Sequence, residues 1–324
     1  MGLLVDGKWQ TEELLPRNVD GKFIRREPPY RNWVTPDGEP GPSGQGGFKA
    51  EAGRYHLYIC HACPWAHRTL IMRHLKGLDD AISLNVVSHT YYDKGWEFSG
   101  GKDTTPDTIH NSKYLYEVYL QDNPDFTGRV SVPILWDKQR GAIVSNESSE
   151  IIRMFNSGFG DLASGEDYYP QALRAEIDDI NDKIFHTVNN GVYKSGFAKS
   201  QDAYEEAVTN IFATLDELEE RLSKQRYLVG AQITEADWRL FTTLVRFDAV
   251  YYGHFKCNIR RIMDYPNLQN YLRELYQVPG ISDLVFLNAN KLHYYSSHES
   301  INPLGIVPAG PELSLDAPHD RARF

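Results

Sequence analysis

Two hydrophobic rhythms run along the chain. Up to about residue 145 apolar residues come in short runs of four to six; beyond 170 they return every third or fourth position. Residues 55–59 form an apolar, β-prone run, and 64–76 carry Leu70, Ile71, His74 and Leu75 at helical spacing. Residues 82–87 form a second short run. Strand, helix and strand in this order predict a βαβ unit with parallel strands and a right-handed crossover. Residues 130–136 and 142–145 read as two more strands joined near Gly141, and a helix begins at Glu147 with Ile151, Ile152 and Phe155 on one face. Pro133 lies inside the first of these runs, which points to a sheet edge or to a cis peptide at the strand's start.

Beyond a Gly-rich, acidic connector (157–167) the pattern predicts helices only. Ile177, Ile180, Ile184 and Val188 keep helical spacing, as do Ala207, Ile211, Leu215 and Leu218. Thr234 and Asp237 stand at the N-cap and third helical position of a capping-box variant, followed by Trp238, Leu240, Phe241, Leu244 and Val245. Two further helices are expected at about 267–277 and 281–295. Residues 1–53 read as an arm rather than a domain, with a Pro- and Gly-rich stretch at 35–47 and scattered aromatics (Trp9, Phe23, Tyr30, Trp33) that suggest it packs on something. The expected division is an arm at 1–53, an α/β domain at 54–160 with a polar insertion at about 89–128, and an all-helical domain at 168–324 ending in a Pro-rich, extended tail.

A length of 324 residues suits about two domains, each with its own core. The formal net charge of −10 argues against nucleic acid or an anionic membrane surface as the main partner. An anionic small substrate then needs local positive charge or a helix N-terminus. With three cysteines only (Cys60, Cys63, Cys257), no disulfide framework is expected, and the count fits a reducing compartment. The N-terminal residues lack a signal-peptide core or a transit-peptide pattern, and no apolar run approaches the ~20 residues of a membrane span. The expectation is a cytoplasmic protein without a membrane partner.

Candidate chemistry concentrates at Tyr55–Ile59 and the residues that follow it. The strand stops at Cys60, Cys63 follows, then Pro64, a residue suited to the first turn of a helix. Cys63 therefore stands at a strand-to-helix turn, where unpaired amides and the helix dipole favour an anion and make the sulfur a usable nucleophile. The plainer alternative is a buried cysteine that merely precedes a proline. Ser145–Asn146–Glu147–Ser148 falls at another helix start, where amides can hold a carboxylate and Glu147 can accept from an ammonium. A γ-glutamyl group carries both; equally, Glu147 is simply a first-turn acid that complements the dipole. Cys60, Cys63, His254 and Cys257 form two closely spaced pairs of possible zinc ligands, but Pro64 leads straight into a helix and no Gly-bearing knuckle follows, so no metal is expected.

A βαβ unit, an insertion, two strands with Pro at a strand start and a helix, followed by an all-helical region with a Thr-x-x-Asp box, resembles a thioredoxin-like domain joined to a glutathione-transferase helical domain. Cys63-Pro-Trp-Ala-His-Arg68, Gly128-Arg-Val-Ser-Val-Pro133, Ser145-Asn-Glu-Ser148, Asn189-Asn-Gly-Val-Tyr-Lys194, His254-Phe-Lys-Cys257 and Ile301-Asn-Pro-Leu-Gly-Ile306 together resemble the glutathionyl-hydroquinone reductases, or Xi-class glutathione transferases, nearly end to end. The resemblance implies glutathione as co-substrate, no metal, an aromatic glutathionyl-hydroquinone as substrate and a homodimer. It implies that Glu147 and Ser148 bind glutathione, that the backbone of Arg129, Val130, Ser131 and Val132 pairs with the peptide, and that Trp96 packs on it. It points to Tyr193 as proton donor, and to Tyr251 and Tyr294 as hydrogen-bond donors that depress the Cys63 pKa. Among 20 tyrosines, spacing alone selects none of these.

Cys60 stands where members of this family usually carry another residue. In thioredoxin-like dithiol enzymes the resolving cysteine lies three residues after the nucleophile, inside the helix, and here that position is Ala66. The motif is therefore monothiol, with Cys60 behind the nucleophile. An omega-like thiol transferase or dehydroascorbate reductase would use the same chemistry on another acceptor. A non-catalytic ligand-binding scaffold is the third reading, and the cysteine before Pro64 argues against it.

Overall fold

The computed structural model describes residues 2–11, 20–99 and 101–324; Met1, residues 12–19 of the arm and Gly100 of the insertion lie outside it. At the N-terminus Leu3–Val5 (β1) and Lys8–Gln10 (β2) pair as an antiparallel hairpin. The turn residues Asp6 and Gly7 both have positive φ, 45° and 69°, as a two-residue hairpin turn of matching twist requires. A Cβ on Gly7 would meet the Pro124 carbonyl oxygen at 2.0 Å, so glycine is needed there twice over.

The main sheet follows the hydrophobic runs. Tyr55–Ile59 (β3) is buried along its whole length, as a central strand covered on both faces must be. Pro64–Leu75 (α1) crosses over to Ile82–Val86 (β4), which pairs parallel with β3 in register Tyr55↔Ile82. The insertion then contributes Leu115–Asp122 (α2) and the short strand Gly128–Arg129 (β5), which pairs with β1. Ile134–Asp137 (β6) and Ala142–Ser145 (β7) return antiparallel, giving the sheet order β4-β3-β6-β7. The Val132–Pro133 bond is cis, and β6 begins directly after it, one of the two placements expected for Pro133. Ser148–Arg153 (α3) packs on α1 and runs on as a wide, π-helical turn over Met154–Gly158.

The remaining elements are helical: Arg174–Ile184 (α4), Gly191–Gly196 (α5), Gln201–Leu222 (α6), Glu235–Arg246 (α7), Tyr252–His254 (α8), Pro266–Tyr276 (α9) and Leu287–Ser297 (α10). The expected cap of α7 is present. The buried Asp237 carboxylate accepts from the Thr234 N–H (2.7 Å) and hydroxyl (3.0 Å), and also from the Leu228 N–H and the Tyr271 hydroxyl. Wide turns at Phe185–Asn189 and Phe247–Tyr251 lead into α5 and α8. Such turns concentrate where a side chain must be aimed off the regular helical repeat.

Two units result, a thioredoxin-like sheet unit and a helical one, as the chain's two rhythms imply. Of the described residues, 2–11 and Glu27–Asp167 form the first, and 20–26 with Tyr168–Phe324 the second. The arm is thus shared out. Its early residues pair with β5, whereas the Gly21 carbonyl accepts from the Lys199 N–H (2.9 Å) and the Asp20 carbonyl from the Ser200 hydroxyl (2.9 Å). Among the described residues no helix is long and apolar enough to cross a membrane.

Candidate active site

Cys63 is the N-cap of α1, with extended backbone (φ −77°, ψ 118°) and Pro64 in the first turn. Its amide donates to the Cys60 carbonyl at 3.0 Å, closing the strand-to-helix turn, and its carbonyl accepts the first helical bond from His67 (2.9 Å). The sulfur is only part-buried and lies 3.5 Å from the Val132 carbonyl oxygen. It stands where helix amides favour negative charge. Cys60 is fully buried at the end of β3, with Sγ 3.4 Å from the Ser88 carbonyl. Cys257 is buried too, and burial pushes its thiol up to about 12. None of the three cysteines is in a disulfide. Among the described residues no three His, Cys, Asp or Glu side chains are grouped to hold a metal.

The loop before β6 brings Val132 to the cysteine. Val130 and Val132 are buried, and Ser131 is gripped by the Tyr119 hydroxyl, which donates to its carbonyl (2.9 Å) and accepts from its amide (3.2 Å). Asn146 completes the lock: Nδ2 donates to the same hydroxyl at 3.1 Å, while Oδ1 accepts from the Tyr30 amide. Burial raises the Tyr119 pKa and keeps this hub protonated. Arg129 sits in β5, one step before the loop. Glu147 is the N-cap of α3, where Oε1 accepts from the amide and hydroxyl of Ser149 (2.8 and 2.7 Å), and Ser148 is buried beside it. Trp96 is buried in the insertion, edge-on to Tyr91 at 4.7 Å.

Within the helical unit the structure gathers three tyrosines from three separate segments. Tyr193 is on α5, Tyr251 ends the turn before α8, and Tyr294 is on α10. The Tyr294 hydroxyl lies 2.6 Å from that of Tyr193 and 3.2 Å from that of Tyr251, and all three rings are buried. Burial raises the pKa of Tyr251 and of Tyr294 well above the usual value, so both are neutral donors. Each hydroxyl can donate and accept, so the three form one hydrogen-bonded chain that can run from Tyr251 through Tyr294 to Tyr193.

The family model described as "Glutathione S-transferase, N-terminal domain" matches residues 62–157, and "Glutathione S-transferase, C-terminal domain" matches 201–274. Glutathionyl-hydroquinone reductase YqjG of Escherichia coli is 54% identical, with 99% of this chain and 98% of that protein covered. The chain belongs to the glutathionyl-hydroquinone reductase family. The member PcpF, from Sphingobium chlorophenolicum, is 52% identical over 97% of this chain and 98% of its own length. The glutathione-bound structure of YqjG superposes with a TM-score of 0.92 at 52% identity, covering 99% of this chain and all of that one. A Xi-class glutathione transferase from Natrialba magadii also reaches 0.92, at 45% identity over all of this chain and 97% of its own. The family resemblance points to Cys63 and the three tyrosines but gives no role to Tyr119, Asn146 or Arg25 (described below). The partners of Tyr119 lie 12 and 27 residues away, a separation that no local pattern registers.

Proposed function

We propose that this chain reduces glutathionyl-hydroquinones to hydroquinones with glutathione, through a mixed disulfide on Cys63. Full-length identity of 54% to a named glutathionyl-hydroquinone reductase carries the reading, supported by a part-buried cysteine at the N-cap of α1. The Cys63 thiolate attacks the glutathionyl sulfur, the sulfur–aryl bond breaks, and its electron pair goes to the ring carbon. Tyr193 protonates that carbon, and Tyr294, 2.6 Å away, donates to the phenolate left behind. A second glutathione, as thiolate, attacks the Cys63–glutathione disulfide, giving glutathione disulfide and free Cys63 thiolate. The proton that this glutathione lost returns to Tyr193. One glutathione and one glutathionyl-hydroquinone thus give one hydroquinone and one glutathione disulfide.

Glu147 and Ser148 would hold the γ-glutamyl end of glutathione, and the backbone of Arg129, Val130, Ser131 and Val132 would pair with its peptide, with Trp96 packing on it. The rigid Tyr119 lock on Ser131 supports this, since a peptide-pairing edge must be held still. Tyr251 acts through Tyr294. We also place the protein in the cytoplasm, as a homodimer, on its three cysteines outside any disulfide and its family. The test is glutathione-dependent release of hydroquinone from a glutathionyl-hydroquinone, run beside dehydroascorbate and a mixed-disulfide substrate. Hydroquinone and glutathione disulfide should appear in equal amounts and faster than product from either alternative. Preference for dehydroascorbate or the disulfide would overturn the assignment in favour of an omega-like transferase, and no turnover in favour of a scaffold.

A further inference from the structure

Arg25 lies outside every motif named above, yet its guanidinium sits on the ring of Tyr193, with Cζ 4.7 Å from the ring centroid. The same group is 5.5 Å from the ring of Phe23, which itself stacks on Tyr193 at 6.4 Å. Arg25 is held at both ends. Its backbone belongs to the 20–26 segment fastened to Lys199 and Ser200, and its Nε donates to Asn190 Oδ1 at 2.7 Å. Asn190 is buried at the N-cap of α5, three residues before Tyr193. Phe23, Phe197, Phe255, Tyr251 and Tyr294 pack their rings on Tyr193. The two tyrosines in that set are kept neutral by burial, whereas Arg25 brings a charge against the ring.

We infer that Arg25 is a positioning residue for proton delivery: its cation stabilises the Tyr193 phenolate formed as the hydroxyl gives up its proton, and its bond to Asn190 fixes the start of the helix that carries Tyr193. The inference rests on the proton-donor role proposed for Tyr193. A ring face is electron-rich and a phenolate's more so, so a guanidinium there favours the ionised form over the neutral one. The donor is made more acidic without losing the hydroxyl contact that holds it.

Arg25→Gln should lower kcat for a glutathionyl-hydroquinone by about tenfold, which corresponds to about 1.4 kcal/mol at the barrier. Without the cation Tyr193 ionises at higher pH, so the alkaline limb of the kcat profile should move upward. Arg25→Lys keeps the charge but not the geometry of the Asn190 bond, and should recover part of the rate. In a Tyr193→Phe background Arg25→Gln should cost little more. A folded Arg25→Gln protein with wild-type kcat and alkaline limb, or an equal loss in the Tyr193→Phe background, overturns the inference. A readout free of turnover separates this from the functional assignment: tyrosinate absorbance during a pH titration, with the Tyr193 part taken as the difference from Tyr193→Phe. If Arg25→Gln leaves that part where it is, the inference fails whatever the enzyme turns over. If it moves upward while wild-type protein releases no hydroquinone, the functional assignment fails and the effect of Arg25 on Tyr193 stands.

Discussion

Cys60 and Cys63 are three residues apart and differ in what governs a thiol's reactivity. Cys63 is part-buried at a helix N-terminus, whereas Cys60 is sealed at the strand end against the Ser88 carbonyl. Cys63→Ser should lower turnover at least about 1,000-fold and abolish the glutathione adduct seen by intact mass spectrometry. Cys60→Ser puts a small hydroxyl beside the same carbonyl and should keep most of the activity; the reverse pattern in the two variants would exchange their roles. The proposed nucleophile was legible in the sequence because the position of Cys63 is set locally, by a strand end, one turn and a proline. Arg25 was not legible, because what gives it a role is a ring 168 positions further along the chain.

At the level of elements, the α7 cap could be read from Thr234 and Asp237 alone, since three residues span the whole device. Periodicity equally placed α6 and α9, whose apolar faces follow the helical repeat. It gave no sign of the wide turns at Phe185–Asn189 and Phe247–Tyr251, because one extra residue in a turn barely disturbs a hydrophobic stripe. Nor did it reveal the lock on the loop before β6. Tyr119→Phe would leave the amide and carbonyl of Ser131 and the Asn146 side chain short of a partner. It should destabilise the protein by about 2–4 kcal/mol in chemical denaturation. It should also raise the KM for glutathione more than it lowers kcat, because in the proposed site the loop positions the peptide and transfers no proton. A variant of wild-type stability and KM would show the loop to be held by its valines instead.

Across the whole molecule, each unit buries a histidine that resists protonation. His56 on β3 is pushed down to about 4 by burial, and His254 on α8 likewise to about 4, with Lys256 adding to the effect. Both imidazoles titrate near 6.5 once unfolded. Between those values the unfolded chain binds protons that the native state refuses, so stability is complete above about 6.5 and falls as the pH drops toward 4. The urea midpoint should be level between pH 7 and 8 and decline steadily below 6.5; a midpoint unchanged down to pH 4.5 would rule this out. The two-unit division itself was legible, because the switch from short apolar runs to a helical repeat marks it. The partition of the arm was not, since its few aromatics could equally cover either core. That partition sets an order of events during synthesis. Residues 20–26 leave the ribosome long before the helices to which they fasten, so this segment waits for most of the chain before it finds its place. An internal deletion of 20–26 would leave the helices folded around a vacant seam beside Tyr193, with β1 and β2 still paired in the sheet unit.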